Sequence, residues 1–600
     1  MLGLTSRPWS RPGLWLFGPA ALWGVAAVAG LLRTASDADA WGPVDRRAGG
    51  VATSTACAVC HPAQHASWSA TYHRTMTQLA EGTAVLAPFA GESIEHIGFR
   101  ATMTRVDGKP HVTVVPVEGG APILDVDVVM TVGSHRYQQY VAAIDRGGGT
   151  DEKWRLPVAW HLATRRWIPM NAAFLEPEGA YGDAGDYLRH LSRWNDNCIL
   201  CHNTEPVPGR KDMSGRVEFK SVVGELGVAC EACHGPAGGH VARMGDVARR
   251  LLAGGGDPAV ASPRRLAARE ESGLCGRCHG NRIAKDVAAV LAGGDGFLPG
   301  TDLAGHSRPI WADSKIGGSD ELPFAQRFWP DGTARLSAYE YQGLLQSPCY
   351  ADGQGLGCNG CHDMHGDSPK MQMRAGKVGS GACSDCHAVA AEHGGHGSAV
   401  DCLGCHMPRI TYGLLEGMIS HRIASPDPGR WVGRDDQPDA CTQCHVDRSR
   451  TWAAEAMAGL GLRGTTAGEA AAEETWGSRV ALDLFGGDPV QRVLAAHALA
   501  RPEATGAASV RLAWLIDALE DEYPAVRWTV WRAALAVGRA SGSALVGALE
   551  QFDPHADAPT RIRALDTLRA AAGPGPFAGA PERREALIDR QGEVALWIGE

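Results

Sequence analysis

The stretch CNGCH, residues 358–362, is the first of four copies of one pentapeptide pattern that lie between residues 358 and 445. The other copies in this block, CSDCH, CLGCH and CTQCH, begin at residues 383, 402 and 441. Each copy reads Cys-x-x-Cys-His, the attachment signature of a c-type haem, because two thiols can form thioethers with one porphyrin and the histidine can bind its iron. Four more copies lie upstream: CAVCH (57–61), CILCH (198–202), CEACH (230–234) and CGRCH (275–279).

The cysteine count supports this interpretation. The chain has 17 cysteines, and the eight motifs use all of them except Cys349. Disulfides or zinc knuckles are the alternatives, but neither requires a histidine after every second cysteine. The sequence therefore predicts eight covalent haem c groups. The thioether residues would be Cys57, Cys60, Cys198, Cys201, Cys230, Cys233, Cys275, Cys278, Cys358, Cys361, Cys383, Cys386, Cys402, Cys405, Cys441 and Cys444. The proximal iron ligands would be His61, His202, His234, His279, His362, His387, His406 and His445.

The remaining histidines are candidates for the sixth iron ligand. The chain has 23 histidines, and those outside the motifs outnumber the spare methionines of the motif region, which favours bis-histidine ligation. Position relative to the motifs selects a first set of distal ligands, His73, His240, His365, His396 and His421. A second set contains His135 and His190.

Composition narrows the class of partner. The chain has 600 residues, 76 glycines, only 6% aromatic residues and a formal net charge of −10. Haem propionates would add negative charge, which argues against nucleic acid as a partner. Porphyrins would supply much of the apolar core that the amino acids lack.

The first 40 residues resemble an export segment. Arg7 and Arg11 precede an apolar run from Leu14 to Leu32, and a polar stretch then ends in Ala38-Asp39-Ala40. Because the run has nearly the length of a spanning helix, a cleaved signal peptide and a retained N-terminal membrane anchor both remain open. Either one predicts a periplasmic protein, or one on the outer face of the cytoplasmic membrane.

The predicted fold has two parts. Residues 41–450 form a mainly α and irregular multihaem cytochrome c domain with a β-rich insert at about 85–190, where apolar residues alternate. Residues 451–600 lack cysteine and show helical periodicity, with Pro489, Pro524 and Pro559 at intervals of 35 residues. This texture predicts a HEAT-like α-solenoid, and a plain helical bundle is the alternative. Such repeats usually bind protein, so a protein partner is expected there.

Three stretches carry a resemblance to a known family. CLGCHMPRITYG (402–413) with His421 downstream, CHDMH (361–365) and CEACHGPAGGH (230–240) resemble the multihaem cytochrome superfamily. That superfamily includes pentahaem nitrite reductases, octahaem hydroxylamine oxidoreductases and tetrahaem cytochromes. The resemblance covers roughly residues 50–450 and implies that His240, His365 and His421 ligate neighbouring haems. The C-terminal repeats lie outside the usual family pattern and look like the helical-repeat extensions of some exported multihaem proteins.

The chain departs from the family's enzymes in one respect. It has no Cys-x-x-Cys-Lys motif, which marks the substrate haem of the related reductases. The hydroxylamine oxidoreductase pattern would need a five-coordinate haem and a tyrosine, for which Tyr339, Tyr341 and Tyr412 are the nearby residues. Cys349 could be an iron ligand, a link to another chain or a buried thiol, and the last is favoured. No catalytic residue is identified.

The leading prediction of function is electron transfer along mostly bis-histidine haems, between a redox protein or a quinol-oxidising membrane complex and an acceptor. An octahaem oxidoreductase acting on a small nitrogen or sulfur compound is the second hypothesis, so whether the chain is an enzyme stays open. A haem-bearing docking scaffold that uses the helical repeats is the third.

Overall fold

A computed structural model of the protein describes residues 50–591 with gaps at 148–150, 181, 253–256, 258, 389–392, 398–399, 435–436, 466–476, 574–576 and 578–580. The predicted export segment, residues 1–40, lies outside the described residues. Within the described ranges, no helix has both the length and the apolar character needed to cross a membrane.

An antiparallel sheet of eight strands follows the first motif. Seven strands form a meander in chain order, and β1 pairs with β5 beside it. Side chains alternate between the faces of the sheet, so that Met103 and its cross-strand partner Val112 are both fully buried. The strands are β1 Thr77–Leu79, β2 Glu92–His96, β3 Phe99–Val106, β4 Lys109–Pro116, β5 Leu124–Val132, β6 Tyr137–Ala143, β7 Lys153–His161 and β8 Arg166–Pro169.

The remainder of the motif region, up to residue 450, contains short elements joined by irregular chain. Its helices are α1 Ser54–Ala58, α2 Pro62–Ser69, α3 Ala184–Tyr187, α4 Ile199–His202, α5 Cys230–His234, α6 Gly238–Gly245, α7 Val247–Leu252, α8 Ala268–Gly276, α9 Val287–Gly293, α10 Glu340–Leu345 and α11 Cys402–His406. Four two-stranded ribbons accompany them: β9 Asn203–Thr204 with β12 Glu225–Leu226, β10 Arg210–Met213 with β11 Arg216–Phe219, β13 Arg282–Ala284 with β14 Ser307–Pro309, and β15 Arg409–Gly413 with β16 Glu416–Ile419.

Longer helices dominate the C-terminal part. They are α12 Arg450–Gly459, α13 Arg479–Gly486, α14 Pro489–Leu499, α15 Ala508–Ala518, α16 Pro524–Ser541, α17 Val546–Gln551, α18 Ala558–Ala572 and α19 Pro581–Ile588. α14 and α16 begin at prolines, and Pro559 lies in the first turn of α18, where its missing N–H costs no hydrogen bond. The solenoid arrangement stays a prediction.

These C-terminal helices pack on the sheet insert and on the β15–β16 ribbon. Arg166 of β8 donates to the carbonyl of Glu550 (2.7 Å), and Arg561 of α18 forms an ion pair with Glu178 (2.7 Å). The backbone N–H of Gly417 in β16 donates to Nε2 of His497 in α14 (2.7 Å). The helical part therefore uses one of its faces to bind the rest of its own chain.

Candidate haem-binding site

A branched cavity of about 3600 Å³ runs through the motif region and is lined by residues from all eight motifs. Well-packed protein interiors contain few voids larger than a water molecule, so a void of this size implies that something else fills it. Divided among eight motifs, the volume is about 450 Å³ each, within the range of roughly 300–1,000 Å³ for pockets that hold a cofactor. The cavity fits the haem groups that the motifs predict.

Each motif folds as one tight turn that gathers its functional side chains. In the motif at 275–279, the backbone N–H of His279 donates to the carbonyl of Cys275 (2.8 Å), and His61 and Cys57 form the same bond. Residues three and four apart in such a turn lie on one face. Both thiols and the histidine are therefore presented to the same side, as attachment of one porphyrin requires.

Six motif histidines have a second histidine ring opposite them across the cavity. An imidazole nitrogen binds a transition-metal ion such as zinc at about 2.0–2.1 Å. With a similar distance to iron, two rings on opposite sides of one iron would have centres about 6 Å apart. The observed separations of ring centres agree with that value. The pairs are His61 with His240 (6.5 Å), His279 with His73 (6.1 Å), His234 with His365 (6.3 Å), His362 with His421 (6.5 Å), His406 with His393 (6.2 Å) and His445 with His396 (5.7 Å).

The structure thus places all five histidines of the first predicted set opposite a motif histidine. His393, which the prediction left out, occupies the same kind of position. The sequence signal for it was its place just before the seventh motif, which it shares with His396. Iron ligation by these residues stays a prediction.

The two histidines of the second predicted set have other neighbours. The ring of His190 stacks on Phe174 at 3.8 Å, and its Nε2 lies 3.2 Å from a carboxylate oxygen of Glu176. The ring of His135 stacks on Tyr72 at 4.3 Å. Neither ring lies opposite a motif histidine, so the structure does not bring these two residues to the predicted distal position.

Two motif histidines lack such a partner among the described residues. In the part of the chain that the structure describes, His202 and His387 face no other histidine ring. His202 is deeply enclosed, and burial lowers its pKa to about 4, as it does for His73. These rings are therefore neutral, which is the form that binds a metal. His387 lies at the surface and is exposed.

Hydrogen bonds at Nδ1 orient several of the paired rings. His234 donates to the carbonyl of Ala261 (2.8 Å) and His406 to that of Ala424 (3.0 Å). The ring of His240 instead bonds a carboxylate, with Nδ1 3.0 Å from Oδ2 of Asp257. Such outer bonds fix which nitrogen remains for the metal.

Neighbouring thiols connect all eight motifs. Thiols lie close enough to shift one another's pKa between the first and third motifs, the second and fourth, the fourth and fifth, and the sixth and seventh, through Cys57–Cys230, Cys201–Cys278, Cys275–Cys358 and Cys383–Cys402. Electrostatic interactions between thiols join the third motif to the fourth, the fifth to the sixth and the seventh to the eighth, through Cys233–Cys278, Cys361–Cys383 and Cys405–Cys441. The attachment points therefore form one connected series.

The tyrosines singled out from the sequence have different environments. The Tyr412 hydroxyl donates to the carbonyl of Ala173 (3.1 Å), and Tyr339 packs edge-on against Phe328. Tyr341 lines the cavity, where burial raises its pKa to about 12. Cys349 also lines the cavity and is half-buried.

A cationic cluster lines the same cavity. Nζ of Lys370 lies 4.2 Å from the ring centre of Tyr72, on which His135 stacks. Arg136 follows His135 in the chain and also lines the cavity, with its Nε 3.5 Å from a carboxylate oxygen of Glu416. Ammonium, guanidinium and phenol groups together suit a small oxyanion.

Comparison with known proteins gives partial matches. No family model matches the chain. The chain is 26% identical, over an alignment of 233 residues, to the dissimilatory sulfite reductase MccA of Wolinella succinogenes, and the match covers 31% of this chain and 30% of that protein. The outer cell wall cytochrome OcwA has a solved structure with a TM-score of 0.45 and 15% identity, over 87% of this chain and all of that one. A TM-score of that size does not establish a shared fold. The chain is thus similar in sequence to less than a third of a protein named as a reductase.

Proposed function

We propose that the protein is an exported octahaem c-type cytochrome that carries electrons along a connected series of haems. The observation that carries this proposal is that all eight motifs line one cavity and that each motif has a thiol beside a thiol of another. Haem supplies one-electron chemistry at each motif when it is bound. The polypeptide's part is to hold the attachment points close together and the paired imidazoles neutral and oriented.

The connections also suggest where electrons enter and leave. Cys60 of the first motif and Cys386 of the sixth are exposed, whereas the other cysteines of the motifs are partly buried. In this series the first motif is joined to the third, whereas the sixth lies between the fifth and the seventh. A redox partner at one and an acceptor at the other would use the series as a path.

Removal of one attachment site tests the path. The fourth motif has thiols near those of the second, third and fifth, so Cys275→Ala with Cys278→Ala should slow reduction of the remaining haems by about tenfold or more in stopped-flow absorbance. The eighth motif is joined through the seventh alone in this series, so Cys441→Ala with Cys444→Ala is the matched control and should leave the rate unchanged. Mass spectrometry verifies that each variant holds seven haems. Equal rates in the two variants would contradict the proposal.

A second candidate is a reductase that acts on a sulfur oxyanion at the haem of the second motif. Two observations favour it: His202 faces no histidine in the described chain, and part of the sequence is similar to a protein named as a dissimilatory sulfite reductase. Lys370 and Arg136, which line the same cavity as His202, would attract the anion. If sulfite shifts a high-spin signal of the oxidised protein, and Lys370→Ala weakens that shift at least tenfold, this function holds; a spectrum unchanged by sulfite would contradict it.

A further inference from the structure

The outer nitrogen of His240 meets a different kind of group from the outer nitrogens of three other paired histidines. The Nδ1 atoms of His234, His362 and His406 bond backbone carbonyl oxygens at 2.8, 3.3 and 3.0 Å. His240, opposite His61 of the first motif, bonds a carboxylate of Asp257 at 3.0 Å instead. A carboxylate accepts that hydrogen more strongly than a carbonyl does, because it is charged.

The carboxylate is held in place from two further directions. Arg243 donates to it through Nη2 at 2.8 Å and Nε at 3.1 Å, and the backbone N–H of Ala259 donates to Oδ1 at 3.0 Å. The Asp257 side chain is only 5% exposed. It therefore stays beside His240 as an anion whose charge is partly shared with Arg243.

We propose that Asp257 is a positioning residue that holds the reduction potential of the first motif's iron below those of the irons whose histidines bond backbone carbonyls. A hydrogen bond from Nδ1 to a carboxylate makes the imidazole a more basic ligand, and a more basic ligand stabilises ferric over ferrous iron. This inference rests on the proposed function, since it requires haem between His61 and His240. Because Cys60 is exposed, the consequence is a low-potential haem at a motif that a donor can reach.

Potentiometry of the full-length, haem-loaded protein tests this. Asp257→Asn should raise the midpoint potential of the first motif's haem by about 59 mV, a tenfold change in its one-electron reduction equilibrium, and Asp257→Glu should restore it. Asp302→Asn is the matched control: Asp302 also pairs with an arginine, Arg269, and accepts a backbone N–H from Ala304, but no histidine ring bonds it. It should leave every potential unchanged.

A second substitution separates tuning from structural damage. Arg243→Met removes the cation that donates to the Asp257 carboxylate, so the full negative charge acts on His240. The variant should therefore lower the same midpoint potential, opposite in sign to the effect of Asp257→Asn. If Asp257→Asn loses a haem, the sign of the potential shift in Arg243→Met tests the inference by itself. Unchanged potentials, or shifts of the same sign in both variants, would overturn the inference. Failure of the proposed electron path would show instead as slow transfer between haems while the potential shift persists.

Discussion

The motif region and the C-terminal helices obtain their cores from different sources. In α14 and α16, apolar side chains at helical spacing such as Val493 and Val530 are fully buried against one another. Around the motifs, Ile310, Trp329 and Ile410 join the core of these helices, but the small apolar cluster of Leu274, Phe297 and Leu303 lies beside a cavity of about 3600 Å³. The comparison teaches that one region carries its core in its own side chains, whereas the other depends on a group that those side chains surround.

The largest expected effect is on a chain that cannot attach haem. If both cysteines of every motif are changed to serine, the segments that line the cavity should lose their fold, because they cannot bury enough apolar surface without the cofactor. Residues 479–591 should keep their helices. Limited proteolysis followed by mass spectrometry should then recover a protected C-terminal fragment. Digestion of both regions at equal rates would contradict the comparison.

A core substitution in the helical region should act through packing alone. Trp528 of α16 is 1% exposed, and Trp528→Ala should cost about 3–5 kcal/mol of unfolding free energy through the cavity that it leaves. Urea unfolding followed by circular dichroism measures the loss, and the number of haems should stay at eight. Ile562→Ala, at a half-exposed position of α18, is the control and should cost far less. A similar loss in both variants would contradict the packing account.

The contact between the sheet insert and the helices should be sensitive to acid. His96 lies 6.2 Å from His555 between ring centres, and burial lowers its pKa to about 4, with Arg527 and Arg561 lowering it further and Glu178 opposing them. The unfolded chain therefore binds a proton that the folded chain does not, so stability falls as the pH drops from 6.5 toward 4. For His96 alone, the loss between about pH 7 and about pH 5 is about 2 kcal/mol.

His96→Gln should flatten this dependence in urea unfolding measured at both pH values. His111→Gln is the control, since the pKa of His111 is raised by Asp127 and Asp125 against its slight burial. That variant should keep the acid sensitivity. If His96→Gln retained the full wild-type slope, the acid sensitivity would have to arise elsewhere.

The sequence predicts local features of the site well because they depend on local spacing. Five residues suffice to define each motif, and the turn that joins His279 to Cys275 follows from them. The alternating apolar residues of β4 likewise predict its buried face. Helices α14 and α16 begin at Pro489 and Pro524, because the fixed φ of proline suits the first turn of a helix.

The pairing of histidines depends on the tertiary path and could not be predicted. His73 follows the first motif in the chain, yet it faces His279 of the fourth. His190 could bind iron by its residue type, but its ring stacks on Phe174 and lies beside the Glu176 carboxylate in the insert. No spacing rule separates these two cases, because the chain that joins a distal histidine to its partner is long and irregular.

A count of iron ligation states tests the central claim most directly. Near-infrared magnetic circular dichroism of the oxidised, fully loaded protein distinguishes bis-histidine haem from other ligation, and mass spectrometry gives the total number of haems. The eight motifs predict eight haems, and the six histidine pairs predict that six of these haems are bis-histidine. The haems of the second and sixth motifs should have another sixth ligand or none. Eight bis-histidine haems, or fewer than six, would contradict the arrangement described here.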